Sequence, residues 1–161
     1  MNIRQAKLNS DLDQIRECLI ELQNFEKHID PRLPSGEEIA DAYIAEMLRK
    51  VDSTGGRILV AESGNMLAGY ATVLSKVTST DLDDGDLVYS LIDDLFVRDQ
   101  FRGTGIGTKL VRAAEHFAAS AGARWLRLSV LANNITARRL YEELGFSELY
   151  VDFEKDLRGG S

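Results

Sequence analysis

The feature that most constrains this fold is an apolar strand pattern that runs without a break into a glycine-rich turn. Residues 92–97 read Ile-Asp-Asp-Leu-Phe-Val, and residues 102–108 read Arg-Gly-Thr-Gly-Ile-Gly-Thr. Apolar residues at helical spacing then follow from Ile106 to Phe117. A strand, a tight turn and a helix N-terminus together present free backbone N–H groups at the positive end of a helix dipole. We therefore predict that residues 102–108 bind a phosphate-bearing ligand.

The spacing of the glycines excludes two common phosphate motifs. Gly103, Gly105 and Gly107 alternate, which lets the backbone approach a phosphate closely. A dinucleotide fingerprint would need a third glycine where Thr108 stands, and a P-loop would end in Gly-Lys-Ser or Gly-Lys-Thr rather than Gly-Thr-Lys. The pattern that remains is Arg-x-x-Gly-x-Gly, which begins at Arg102.

A second motif lies one predicted helix and one predicted strand further along the chain. Its members are Asn134, Ala137, Tyr141, Gly145 and Phe146. Together the two motifs resemble those of the Gcn5-related N-acetyltransferase (GNAT) superfamily. Residues 93–108 look most like the diamine (polyamine) acetyltransferases. The resemblance covers residues 55–157 well and the earlier part loosely, and it implies the GNAT fold with acetyl-CoA as co-substrate.

The residue patterns predict an α+β (mixed α/β) fold in one domain over residues 1–157, with a disordered tail over 158–161. Helices are expected over residues 11–28, 36–51, 105–121 and 135–144, the first two capped by Ser10 and Ser35. Strands are expected over 2–6, 57–62, 67–74, 87–97 and 125–131, with one or two closing strands over 147–156.

The strand–helix–strand unit of residues 87–131 predicts a parallel pair in an otherwise mostly antiparallel sheet, flanked by about four helices. In GNAT proteins this parallel pair splays apart around one helix, and the cofactor enters the gap.

The composition limits which partners and which cellular compartment are expected for this chain. The 161 residues carry a net charge of −7, which argues against nucleic acid as a partner. We expect no membrane association because no apolar run could span a bilayer and the N-terminus lacks a secretory signal. The single cysteine, Cys18, falls on an apolar helix face, so we expect a buried thiol and a reducing, cytoplasmic location. His28 and His116 form no ligand pair, so no metal is expected.

Binding of polyanionic CoA by an acidic chain requires local positive charge. Six basic residues lie in or beside the two motifs: Arg98, Arg102, Lys109, Arg112, Arg138 and Arg139.

The resemblance implies a role for each part of the motifs. Backbone groups of Leu95, Phe96 and Val97 would bond the pantetheine arm. The pyrophosphate would be held by Arg102 and by the amides of Gly103, Thr104, Gly105, Ile106, Gly107 and Thr108. Asn134 would contact the pantetheine arm, or start the following helix as its N-cap, and the two roles can coexist.

Acetyl transfer to an amine needs a base for the ammonium, a polarised carbonyl and an acid for the departing thiolate. Tyr141 matches the motif tyrosine that sits near the thioester sulfur, so it is the predicted acid. The alternative is a packing role, because Ala137, Tyr141 and Leu144 share a helical stripe. Since no cysteine nucleophile is evident, we predict direct attack in a ternary complex.

Two carboxylates, Asp93 and Asp94, interrupt an apolar strand, where a buried charge is costly. They therefore lie at a cleft or have shifted pKa values, unless this strand end is merely solvated. Neighbouring strand residues face opposite sides, so only one should face the substrate unless a bulge, usual in this family, intervenes. Asp93 corresponds to the glutamate of the diamine enzymes and, being one methylene shorter, would use a water relay.

Phe25 and Glu26 occupy the place where the diamine enzymes carry an aromatic–glutamate pair that contacts the amine. The alternative for Glu26 is a solvated helix end. Taken together, the sequence predicts an N-acetyltransferase acting on a primary amine of a small molecule, and a homodimer by family analogy. Two alternatives stay open: a protein N-terminal or lysine acetyltransferase, and a non-catalytic CoA-binding sensor or interaction module.

Overall fold

The computed structural model describes residues 1–159, in which one five-stranded sheet carries helices on both faces. Its strands, in spatial order, are β1 (Asn2–Gln5), β2 (Arg57–Ser63), β3 (Met66–Thr78), β4 (Val88–Val97) and β5 (Leu126–Leu128). The helices are α1 (Leu8–Ile29), α2 (Gly36–Thr54), α3 (Ile106–Ser120) and α4 (Ile135–Glu143). Strands β1 to β4 pair antiparallel, and β4 and β5 pair parallel. The predicted mixed architecture is confirmed. Residues 160 and 161 of the predicted tail lie outside the described range.

The sheet separates two apolar layers. On one face, α3 packs through Ile106, Leu110 and Phe117. On the other face, α1 and α2 bury Cys18 and Met47 against the sheet. Cys18 is fully buried, as predicted, and burial raises the pKa of its thiol to about 11. No helix within residues 1–159 combines the length and apolar character needed to cross a membrane.

One predicted helix cap is confirmed and the other is wrong. Ser35 and Glu38 form the reciprocal capping box expected at the start of α2. Helix α1, by contrast, begins about one turn before the position that a cap at Ser10 would give. The reason is Asp11, whose carboxylate accepts the backbone N–H of Lys7 at 2.6 Å.

The closing strands predicted over residues 147–156 are not formed, and β5 is shorter than expected. Strand β5 has a neighbour on one side only, which is β4. Beyond α4 the chain runs to the loop between α1 and α2, where Glu154 pairs with Arg32 at 2.8 Å. The segment therefore does not align with β5 in a ladder.

Candidate active site

The parallel strands β4 and β5 separate halfway along β4. Their pairing covers residues Ser90 to Ile92 of β4 and ends there. On its other side, β4 stays paired with β3 as far as Val97. Residues 93–97 therefore present one row of backbone groups to a gap rather than to a neighbouring strand. This gap is where the resemblance places a pantetheine arm on Leu95, Phe96 and Val97, and that contact stays a prediction.

The glycine-rich turn has the backbone geometry that an anion site needs. Gly103 and Gly105 have φ values of +73° and +83°, a region that L side chains rarely adopt. Gly105 is the N-cap of α3, and the first helical hydrogen bond runs from the Lys109 N–H to the Gly105 carbonyl. The N–H groups of residues 106–108 are thus free for a ligand. The turn fits a diphosphate, although binding by residues 103–108 stays a prediction.

Arg102 is held beside this turn rather than over it. Its Nε donates to the Val97 carbonyl at 3.2 Å, and its guanidinium pairs with Asp99 at 3.0 Å. The guanidinium also lies 4.8 Å from the ring centre of Phe25. To bind a phosphate, Arg102 would have to break its ion pair with Asp99. The contact with Arg102 also places Phe25 next to the glycine-rich turn.

The other basic residues near the motifs are largely committed to carboxylates. Arg98 binds Glu17 and Glu21 of α1, so it fixes α1 to the end of β4. Further pairs join Arg112 to Glu115 and Arg138 to Glu148. Within residues 1–159, Lys109 and Arg139 are the two of the six without such a pair.

A β-bulge in β4 turns both strand aspartates toward the same helix. Thr72 of β3 faces Asp94 whereas the next residue faces Ile92, so Asp93 is the extra residue. Asp93 binds the Lys50 ammonium of α2 at 3.3 Å. Asp94 accepts a hydrogen bond from the Tyr43 hydroxyl of α2, at 2.6 Å. The bulge implied by the family resemblance is therefore present.

Asp94 is a buried carboxylate without a cationic partner. It is 5% exposed, and burial raises its pKa to about 6, against the opposing effect of the hydrogen bond from Tyr43. Within residues 1–159, its Oδ2 and the Tyr70 hydroxyl are buried without a well-formed hydrogen bond, and the nearby Thr72 hydroxyl opposes the rise in the pKa of Asp94. A buried carboxyl with an unused oxygen can take up a proton or accept a hydrogen bond from a water molecule.

Glu26 connects residues from four elements electrostatically. Burial raises the pKa of this half-buried residue. Burial is the main cause of the raised pKa of Tyr43, Asp94 and Tyr141, and the charge of Glu26 adds to each of these shifts. We call the set of Glu26, Tyr43, Asp93, Asp94 and Tyr141 the acidic cluster.

Tyr141 and Asn134 both have structural roles. The Tyr141 ring packs edge-on to Phe146, with 5.9 Å between ring centres, and burial raises the pKa of its hydroxyl to about 12. A phenol with that pKa is protonated at neutral pH. Asn134 accepts the Ala137 N–H at 3.3 Å and so caps α4. Their contacts to a thioester and to pantetheine stay predictions.

Sequence reasoning missed Tyr43, whose hydroxyl binds Asp94. It reads as one more core residue of α2, and no local signal connects it to a carboxylate 51 positions later. Within residues 1–159, no group of three or more His, Cys, Asp or Glu side chains could hold a metal ion.

Comparisons with known proteins agree with this geometry. Residues 19–146 match the acetyltransferase (GNAT) family. The uncharacterized N-acetyltransferase YhfO of Bacillus subtilis (strain 168) is 32% identical over 148 residues, which are 92% of this chain and 91% of that protein. The thialysine N-epsilon-acetyltransferase of Mus musculus is 30% identical over 158 residues, covering 91% of this chain and 84% of that protein.

A tetramutant of the BH1408 protein from Bacillus halodurans has the same fold. Its TM-score is 0.82 at 21% identity, over 98% of this chain and all of that one. The splayed strands, the glycine turn and the match over residues 19–146 lead to one conclusion. The chain belongs to the GNAT family and is an acetyl-CoA-dependent N-acetyltransferase.

Proposed function

We propose that this chain, as one catalytic domain over residues 1–157, acetylates a primary amine of a small cationic molecule by direct attack in a ternary complex. The observation that carries the proposal is the acidic cluster. Within residues 1–159, its three carboxylates, Glu26, Asp93 and Asp94, form one ion pair, between Asp93 and Lys50. A cluster with excess negative charge favours an ammonium ligand over a neutral or anionic one.

The proposed cofactor site complements the acidic cluster. The free amides of residues 106–108 and Arg102 would hold the pyrophosphate. The open row of β4 backbone groups at residues 95–97 would bond the pantetheine arm, with Asn134 beside it. Acetyl-CoA, when bound there, supplies the acetyl group and a thiol leaving group.

Asp94 is the residue that we assign to deprotonate the amine. A carboxylate with a pKa near 6 is a stronger base than an ordinary aspartate, and it is still mostly ionised at pH 7. Its Oδ2 is sealed from bulk solvent, so a water molecule would carry the proton from the amine. Asp93 is partly exposed, and we assign it to bind the incoming ammonium in exchange for Lys50.

Tyr141 would supply the proton to the departing thiolate. Replacing Tyr141 with phenylalanine keeps its packing on Phe146, so the fold should persist. We expect kcat to fall by roughly 10²–10⁴. Tyr89→Phe, at a half-buried tyrosine of β4 that stacks on Arg127, is the matched control and should retain activity. A loss below threefold for Tyr141→Phe would contradict the assignment.

The acceptor class is tested by CoA release from acetyl-CoA with a panel of diamines, polyamines, amino acids, aminosugars and peptides. The mouse relative acetylates the ε-nitrogen of thialysine, so side-chain amines of amino acids belong in the panel. Turnover on small amines supports the proposal. Turnover restricted to peptides would make the chain a protein acetyltransferase, and binding without turnover would make it a sensor. We further propose a cytoplasmic homodimer.

A further inference from the structure

Helix α2 presents a primary amine of the chain itself to the acidic cluster. Tyr43 and Lys50 are seven positions apart on α2, a spacing that places them on one face of the helix. Tyr43 binds Asp94 at 2.6 Å, and Lys50 binds Asp93 at 3.3 Å. The two aspartates of the β4 bulge therefore meet one neutral donor and one ammonium group from the same helix.

The ion pair of Lys50 with Asp93 is weak. Its separation of 3.3 Å is the longest of the ion pairs within residues 1–159. The Lys50 side chain is also 37% exposed. Ion pairs made by long, exposed side chains contribute little to stability. The Lys50 amine can therefore leave Asp93 at a small cost in free energy.

The identity of this residue matters as well as its charge. Among the residues that the structure describes, Lys50 is the one lysine paired with a carboxylate, because arginines make all the other pairs. An arginine could bind Asp93 through two N–H groups at once. A lysine instead carries a primary amine, which becomes a nucleophile when it loses a proton. Lys50 thus brings to the cluster the functional group on which the proposed reaction acts.

The amine also lies where the proposed path of acetyl-CoA ends. With the pyrophosphate on the amides of residues 106–108 and pantetheine on residues 95–97, the arm would run along β4 toward the start of that strand. The gap closes at Ile92, where β4 and β5 begin to pair. The thioester would therefore lie beside the two aspartates of the bulge. Lys50 contacts one of them, and the other is Asp94, the assigned base.

We propose that Lys50 is a second, internal acceptor: without a free amine, the chain acetylates its own Lys50. The inference rests on the proposed function, because it uses the same base and the same acid. An acetylated Lys50 carries no charge, so it would leave Asp93 free to bind the ammonium of a substrate. Self-acetylation would in this way prepare the site for its free acceptor.

The reaction at Lys50 balances with the groups already assigned. Asp94 takes one proton from the Lys50 ammonium through a water molecule. The nitrogen then bonds to the acetyl carbon, the carbon–sulfur bond breaks, and Tyr141 protonates the CoA thiolate. The second proton that leaves the nitrogen restores Tyr141, and the first passes from Asp94 to solvent.

The first test is peptide mass spectrometry of the full chain after incubation with acetyl-CoA and no acceptor. We expect one acetyl group on Lys50, added at a rate independent of protein concentration. It should be added roughly 10²-fold faster than at Lys76, an exposed lysine of β3 that reports uncatalysed acetylation. An unmodified Lys50, a rate no faster than at Lys76, or a rate that rises with protein concentration would overturn the inference.

The second test needs no acetyl-CoA. Calorimetry measures the binding of 1,4-diaminobutane to the cofactor-free chain. Lys50→Gln, neutral like acetyl-lysine, should bind it about two- to fivefold more tightly than the wild type, because the weak ion pair with Asp93 no longer has to break. Lys50→Arg retains the charge, and Lys76→Gln removes one elsewhere, so both should bind like the wild type. A Lys50→Gln chain that binds no more tightly would show that Lys50 does not compete for Asp93.

The outcomes separate this inference from the proposed function. Turnover of free small amines with Lys50 unmodified would overturn the internal acceptor and leave the proposed function standing. Acetylation of Lys50 with no turnover of any free amine would support the internal acceptor and contradict the proposed small-molecule function.

Discussion

Two aspartates of this molecule have the same small exposed fraction, and their pKa values shift in opposite directions. Asp11 and Asp94 are each 5% exposed. Asp11 accepts hydrogen bonds from the Arg4 guanidinium at 2.7 and 3.1 Å, and Arg4 holds its pKa below the usual value. Asp94 has a neutral donor, Tyr43, and its pKa rises to about 6. Burial is the main cause of the raised pKa of Asp94, whereas the hydrogen bond from Arg4 outweighs burial at Asp11, which lies nearer the protein surface.

The difference distinguishes a structural carboxylate from a functional one. Asp11 belongs to a network in which Arg4 also binds Glu62, so it ties β1 and α1 to β2. Its charge is neutralised within the fold. Within the part of the chain that the structure describes, no cation pairs with Asp94, and under the proposed function an ammonium substrate would bring one. We therefore assign structure to Asp11 and proton transfer to Asp94.

The largest expected effect is that of Asp94→Asn, which should lower kcat/KM by roughly 10²-fold or more.

The same change, Asp94→Asn, should stabilise the fold. Because the folded pKa of Asp94, about 6, lies above the ordinary 3.8, ionisation costs stability as pH rises from about 4 to 6. At pH 7.5 the cost is about 3 kcal/mol. Urea unfolding should show a gain of about 1–3 kcal/mol at pH 7.5 and almost none at pH 4.

Asp11→Asn is the matched control for this experiment. Removing the charged partner of Arg4 should lower the free energy of unfolding by about 1–3 kcal/mol, with kcat/KM of the folded enzyme unchanged within twofold. The account fails if the two variants change stability in the same direction, or if Asp94→Asn stays active.

A smaller effect is expected at Glu26. This half-buried carboxylate extends the comparison of Asp11 with Asp94 to a third, more exposed position. Glu26→Gln removes one negative charge from the acidic cluster and should raise KM for a cationic amine about 10-fold, with a smaller change in kcat. Initial rates against amine concentration measure both constants. A matched change of exposed Glu37 should leave KM unaltered. A Glu26 variant with unchanged KM would remove this residue from substrate binding.

The parts of the fold that follow from local signals were predictable from the sequence. The turn at Gly103 and Gly105 requires positive φ values, and the Ser35 capping box uses residues three positions apart. Such features depend on neighbouring residues alone. The wrong cap at Ser10 arose because Asp11 accepts the Lys7 N–H, and Arg4 of β1 holds the Asp11 carboxylate in that position.

The acidic cluster depends on contacts that local sequence patterns do not encode. The bulge in β4 opposite β3 decides whether the Asp93 and Asp94 side chains face the same side of the sheet. The alternating side-chain pattern of a regular strand does not predict such a bulge. Tyr43 meets Asp94 because α2 packs on the sheet. The strands expected over residues 147–156 have the right alternation but lack a partner strand within the chain.

The most direct test of the account is the titration of the Asp94 carboxyl by carbon-13 NMR, assigned with Asp94→Asn and repeated in Tyr43→Phe. We expect a midpoint near 6 in the wild-type chain, while Asp11 titrates below its ordinary value. The hydrogen bond from Tyr43 lowers the pKa of Asp94. Its loss in Tyr43→Phe should therefore raise both the titration midpoint of Asp94 and the pH of the acid limb of kcat/KM. A wild-type Asp94 midpoint below 4, or an acid limb that does not follow it, would contradict the assignment of Asp94 as the base.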